Sequence, residues 1–521
     1  MYDILIRKGL IVDGSGKTAF PGDLAIKDGK IIRIAPDISG EAKQYLDAQG
    51  LVVAPGFIDC HNHCDADALL GSSCYNALEQ GVTTQITGHC GYSLAPYYDG
   101  AMPRLKSQLP AEKFSQLMEQ TKTMASFMCS AKEVKIGTNM AFFVGHHNIR
   151  GKTMGFCADT PTAAQLSVMQ ADLMEAMEAG CLGMSTGLIY APSAHADTQE
   201  LIALAKVMAP YGGIYASHIR NEADGAVAAV EEAIRIGEAA GVQVQISHLK
   251  VMGLHNEGTS ERILQLIEDA NARGIRVYAD QYPYTASSAA LNSRIPAPYH
   301  AGGKEIFLER LRKRAVRDEI SDLHLDYDSM MIASLPLTCE YENRTIGQIA
   351  REEGKHPVDV LCDILLANHG EGRGIYFNQP ESDMFRILAH PYVFCGSDSS
   401  NLPEREDPET TAGRHPRGQA AMVRRLQLQR DHALCGIEEA VYRMTGGPAM
   451  AFRLHHQGLL KEDYDANITV FDYERLQAHA TYQYPFRKNE GIHWVLVNGQ
   501  IAVSNGQATE CRAGKILKQH K

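Results

Sequence analysis

Short apolar runs bounded by turn residues alternate with longer amphipathic stretches through the middle of the chain. Residues 56–63, 82–90, 140–146, 182–187, 213–218, 242–248, 275–282 and 392–398 read as strands. Between several of them, residues 197–208, 223–240 and 260–273 place apolar side chains at helical spacing. Gly212, Gly241 and Gly274 follow these stretches, where a helix C-terminus favours a residue free to adopt positive φ. Eight strand–helix units predict an α/β fold, a (β/α)8 TIM barrel over residues 54–454. The two ends differ from this middle. Asp28-Gly29 and Asn498-Gly499 are hairpin signals between alternating segments. They predict a small β-sandwich built from residues 1–53 plus 455–521. Between the seventh and eighth strands the gap is too long for one helix. Residues 289–390, with a charged helical stretch at 304–317, read as an inserted lid or subdomain.

A chain of 521 residues has room for a barrel and a smaller domain. A net charge of −12 argues against a nucleic-acid partner, because it repels a phosphate backbone. It does not exclude a small anionic substrate, since a few local Arg or Lys override the global sign. Twelve Cys without a CxxC pair point to free thiols in a reducing compartment. Asp3, Arg7 and Lys8 interrupt the first apolar residues, unlike a secretory leader, and no apolar run is long enough to span a membrane. The expected location is the cytoplasm.

Candidate chemistry collects at the strand ends. His61 and His63 close the first strand, and alternate residues of a strand point to one side. Cys90 closes the second, His218 the fifth, His248 the sixth and Asp398 the eighth. Six side chains able to ligate a metal thus sit at matching ends of five strands, the end where barrel active sites lie. A thiolate with imidazoles suits zinc, and zinc lowers the pKa of a bound water from ~15.7 to about 7. Asp398 is placed to take that water's proton and deliver it to a leaving nitrogen.

The strings APGFIDCHNHCDAD, GVTTQITGHCGYSLAP, GMSTGLIYAPSAHADTQELIALA, YASHIRNE, ISHLKVMG, DQYPYTASSAAL, FCGSDSS and HPRG carry a resemblance. The chain resembles the amidohydrolase superfamily, in its D-aminoacylase (N-acyl-D-amino-acid deacylase) branch, over most of its length. The resemblance implies Zn2+ in one tight site made by Cys90, His218 and His248. It implies a weaker second site at His61 and His63, with Asp398 near both. It also implies that Lys250, Tyr282 and Ser288 bind a substrate carboxylate, joined by Arg417. Many relatives bridge two metals with a carboxylated Lys on the fourth strand. Here that strand reads Met184-Ser185-Thr186, which argues against a hydantoinase of the Lys type. Three features depart from the family pattern: Cys60 and Cys64 flanking the histidines, His89 before Cys90, and the stretch SSNLPEREDPETTAGRHPRG after Asp398.

The implied reaction is zinc-dependent hydrolysis of a small N-acyl-D-amino acid to a carboxylate and a free D-amino acid. Two alternatives are an amidohydrolase cleaving a cyclic amide or carbamoyl group, and a catalytically inactive barrel serving as an assembly scaffold. Arg294 has two readings, a partner for an acidic substrate side chain or a salt-bridged lid residue.

Overall fold

The eight apolar runs form strands that pair in parallel, each with the next. They are Phe57–Asp59, Val82–Thr87, Asn139–Phe142 continued by Val144–Gly145, Gly183–Gly187, Ile214–His218, Gln243–Ile246, Val277–Gln281 and Val393–Cys395. The last strand meets the first: Cys60 N donates to Cys395 O at 3.1 Å, and Asp398 N donates to His61 O at 2.7 Å. The strands are buried almost throughout. Full burial explains why they read as continuous apolar runs, not as alternation. This computed structural model describes residues 1–98, 106, 109–400, 407–409 and 413–519. Residues 401–406 and 410–412 of the unusual stretch after Asp398 therefore lie outside the described residues.

Helices flank the strands as their patterns require. Asp197 caps Thr198–Met208 by accepting from Glu200 N at 2.8 Å. Gly241 ends Ala226–Ala240 with φ 70°. Neither helix has a core of its own; each buries an apolar face such as Leu201, Leu204, Ala205 and Met208.

Strands from both ends of the chain join in one nine-stranded sheet, in which Ile468–Phe471 pairs antiparallel with Val52–Pro55. Beyond Ala508 the chain leaves this sheet. Met140 N donates to Lys515 O at 2.9 Å and Leu517 N to Met140 O at 2.8 Å, so the tail runs against the third ring strand.

The segment after the seventh strand has its own three-stranded antiparallel sheet, Ser287–Ala290, Arg373–Tyr376 and Met330–Ser334. Its core gathers Leu291, Phe307, Leu311, Ile332, Leu361 and Leu365. Residues 304–317 were expected as one helix. They contribute instead to two, Lys304–Leu311 and Arg314–Ser321, divided at Arg312-Lys313. The helix Glu381–Ala389 falls within the expected insert but buries Met384, Ile387 and Leu388 and packs against Thr259–Ala272. It thus supplies the helix before the eighth strand. Among the described residues no helix is long and apolar enough to cross a membrane.

Candidate active site

All six strand-end residues come together. The Cys90 Sγ lies 3.3 Å from His61 Nε2 and 3.2 Å from His248 Nε2. Ligand atoms of Cys90, His218 and His248 lie within 4.8 Å of one another, as do those of His61, His63, Cys90 and Asp398. A tetrahedral zinc site with one thiolate and imidazole ligands has sulfur–nitrogen edges of about 3.5 Å. The observed spacings fit such a group. His218 fits it too, because neither of its buried ring nitrogens makes a hydrogen bond.

The backbone at these positions is unusual. Cys90, His248 and Asp398 have φ of 55°, 35° and 48°, left-handed values that L side chains seldom adopt. Such conformations cost about 1–3 kcal/mol each and persist where the surroundings impose them. Two glycines make the turns possible. A Cβ on Gly88 would collide with the Phe143 carbonyl, and one on Gly396 would lie 2.6 Å from His61 Cβ.

These turns also correct the strand-face argument. The first strand ends at Asp59 and the sixth at Ile246, so neither His61/His63 nor His248/Lys250 lies within a strand. The pairs still converge, through turns. His63 Nε2 reaches Asp398 Oδ1 at 3.1 Å and His61 Nε2 lies 3.6 Å from the same atom. Lys250 Nζ lies 2.8 Å from His248 Nδ1.

Two carboxylates that the sequence reading did not single out hold the imidazoles. Asp280, on the seventh strand, meets His61 Nδ1 at 2.9 Å and accepts from His248 N at 2.8 Å and Gln245 Nε2 at 2.8 Å. With Nδ1 occupied, His61 presents Nε2 inward. Glu222 accepts from Lys250 Nζ and lies 3.2 Å from His248 Nδ1 and 3.5 Å from His218 Nε2. The available signals were a charged residue inside an apolar strand run, and an acid four residues after His218. Of the departures, Cys60 Sγ donates to Ile58 O at 3.6 Å and Cys64 Sγ accepts from Gln85 Nε2 at 3.4 Å. His89 stacks on the His61 ring at 4.0 Å.

A cavity of about 350 Å³ opens beside the cluster, and Lys250, Tyr282, Ser288 and Arg417 all line it. Arg417 begins the helix Arg417–Asp431. Its Nη1 lies 2.8 Å from Asp398 Oδ2, and its guanidinium carbon 4.7 Å from the centre of the Tyr282 ring. Its Nη2 donates to Ser288 O at 3.3 Å. Gln379 Nε2 donates to the Tyr282 hydroxyl at 3.2 Å. Arg294 lines the same cavity with its guanidinium 4.0 Å from the Tyr376 ring centre. Four cations, Lys250, Arg294, Arg373 and Arg417, thus face two carboxylates, Glu222 and Asp398, in a protein of net charge −12. Burial would raise the Asp398 carboxyl, but Arg417, His248 and His63 outweigh it and hold the group well below the usual carboxylate range. Burial likewise opposes charge on Glu222, and Lys250 reverses it. Both acids are therefore anions at neutral pH.

A profile of the amidohydrolase family matches residues 44–503. A D-aminoacylase of Alcaligenes xylosoxydans xylosoxydans is 34% identical over 99% of this chain and 97% of its own. A crystal structure of N-acyl-D-glutamate deacylase from Bordetella bronchiseptica, complexed with zinc and a phosphonate mimic of the reaction's tetrahedral intermediate, superposes with a TM-score of 0.82. It is 32% identical and covers 99% of each chain. A D-aminoacylase structure described as having a binuclear metal center, with one-metal activation and second-metal attenuation, superposes with a TM-score of 0.84 at 32% identity over the whole of both chains.

Proposed function

Because the chain belongs to the amidohydrolase family, in its D-aminoacylase branch, and is a metal-dependent amide hydrolase, we propose that it hydrolyses N-acyl-D-amino acids to a carboxylate and a free D-amino acid. The observation that carries this reading is one cavity that joins a thiol–imidazole cluster, an ionised carboxylate and an excess of cations. Cys90, His218 and His248 are assigned to a tightly held zinc, and His61 and His63 to a weaker second site, with Asp398 beside both. When bound, the ion supplies Lewis acidity that polarises the acyl carbonyl and acidifies water.

The chain's own residues do the remaining work. Asp398 takes the proton of the attacking water at its carboxylate and returns it to the leaving nitrogen, ending as it began. Asp280 and Glu222 fix the imidazoles, so these rings need little reorganisation during turnover. Lys250, Tyr282, Ser288 and Arg417 hold the substrate's α-carboxylate. The local positive charge makes that anchor favourable despite the acidic protein. The domain division expected from the sequence serves the same end: a barrel over 54–454 presents the strand ends and Ser288, and the insert over 289–390 adds Arg294 and Arg373 to the cavity lining.

The carboxylate anchor is testable by itself. A charge-assisted hydrogen bond is worth roughly 1.5–3 kcal/mol, a factor of about 10–10² in rate. Lys250→Met is therefore expected to lower kcat/KM by that factor with zinc content unchanged, and N-acyl amines lacking the α-carboxylate should be poor substrates for the wild type. Loss of zinc from the variant would show that Lys250 serves His248 instead. Equal turnover of the amine would remove the carboxylate from the specificity.

A further inference from the structure

The proposed hydrolysis leaves a neighbouring apolar space unused. A second cavity, of about 330 Å³, adjoins the first, and Tyr92, Ile189, Tyr190 and Asn292 line both. Its inner wall is a chain of rings that starts at the metal cluster. Tyr190 lies 5.1 Å from the His218 ring and 5.7 Å from Tyr92, Tyr92 lies 4.2 Å from His147, and His147 lies 6.3 Å from Phe156. Phe307 and Ala191 complete an apolar lining. The polar groups there carry no net charge. Lys304 and Glu371 pair with each other at 2.9 Å, and burial pulls the His147 ring down to about 3, so it is neutral. Its volume is at the lower end of small-molecule sites.

Position decides what this chamber receives. Tyr92 follows the second ring strand, His147 the third, and Ile189 and Tyr190 the fourth. The carboxylate anchor follows the sixth, seventh and eighth. A scissile amide carbonyl held at the metal cluster has two substituents that point away from each other. The nitrogen side leads to the α-carbon and its carboxylate, toward the cations. The acyl side therefore points across the ring, toward the chamber. The amino-acid side chain starts from the α-carbon and so remains in the first cavity with Arg294 and Arg373. We infer that the second cavity binds an extended apolar acyl group, and that the substrates are D-amino acids carrying a medium alkyl or aryl acyl chain. This rests on the proposed hydrolysis and specifies which half of the substrate gives it affinity.

Each methylene moved from water into an apolar site is worth a factor of about 3–4. With losses from ordering the chain, N-octanoyl is expected to exceed N-acetyl in kcat/KM by on the order of 10² for one D-amino acid. Ala191 and Ser293 line the second cavity and not the first. Ala191→Leu and Ser293→Leu would each narrow it. Each is expected to lower the octanoyl-to-acetyl ratio of kcat/KM at least tenfold, while the ratio of N-acetyl-D-leucine to N-acetyl-D-alanine stays as in wild type. Acetyl substrates hydrolysed with no rise toward octanoyl would overturn the inference and leave the proposed function standing. So would an unchanged octanoyl-to-acetyl ratio in both variants, or a change in the leucine-to-alanine ratio instead. Inactivity on every N-acyl-D-amino acid from acetyl to octanoyl would overturn both.

Discussion

Asp398→Asn is expected to keep its zinc and lose kcat by on the order of 10²–10⁴. The Asp398 side chain is 11% exposed, and its carboxylate meets Arg417 Nη1 at 2.8 Å and His63 Nε2 at 3.1 Å. Asparagine keeps the shape and one accepting oxygen, so the metal cluster retains its packing. It cannot take a proton from water or give one to a departing nitrogen. It also leaves the Arg417 guanidinium buried without its counter-charge, which adds to the loss. The measurement is kcat with zinc determined on the same sample. Turnover within a few-fold of wild type at full zinc would assign the proton transfer to another group.

Cys90→Ala is expected to fall from about one tightly held zinc per chain to nearly none, with activity lost in proportion. Cys90 belongs to both groups of candidate ligands, and its sulfur lies 3.3 Å and 3.2 Å from two imidazole nitrogens. Alanine leaves the left-handed backbone in place and removes the only thiolate donor of either group, so the change tests ligation more than folding. Elemental analysis after desalting, beside a far-UV dichroism spectrum matching wild type, is the check. Full zinc occupancy in a folded variant would remove Cys90 from the site.

The sequence made the site legible because each candidate ligand closes an apolar run. Cys90, His218, His248 and Asp398 are all preceded by buried strand residues, and a barrel brings such ends together whatever the loops do. The geometry at those ends was less legible. Strand periodicity places His61 with His63 and His248 with Lys250, but the strands stop earlier, and turns do the positioning. Left-handed φ at Cys90, His248 and Asp398 has no sequence signal, because none is Gly. Asp280 and Glu222 stood within strings that carried the family resemblance. Their work depends on contacts with His61 and Lys250, distant in sequence, which local pattern does not encode. The insert was visible as an overlong gap. Its three-stranded sheet was not, because Ser287–Ala290, Met330–Ser334 and Arg373–Tyr376 are short and pair across intervening helices.

Hydrolysis of N-acetyl-D- and N-acetyl-L-amino acids by zinc-depleted and zinc-restored protein tests the central claim most directly. In the proposed reaction three attachments define the chirality: the carbonyl at the candidate metal cluster, the carboxylate at Lys250, Tyr282, Ser288 and Arg417, and the side chain in the remaining space. Exchanging hydrogen and side chain at the α-carbon pulls the carboxylate from its donors, and losing two such bonds costs a factor on the order of 10²–10⁴. The account predicts that kcat/KM favours the D enantiomer by that factor, that activity disappears with zinc, and that it returns when zinc is restored. Equal rates for the two enantiomers, or activity indifferent to zinc, would contradict it.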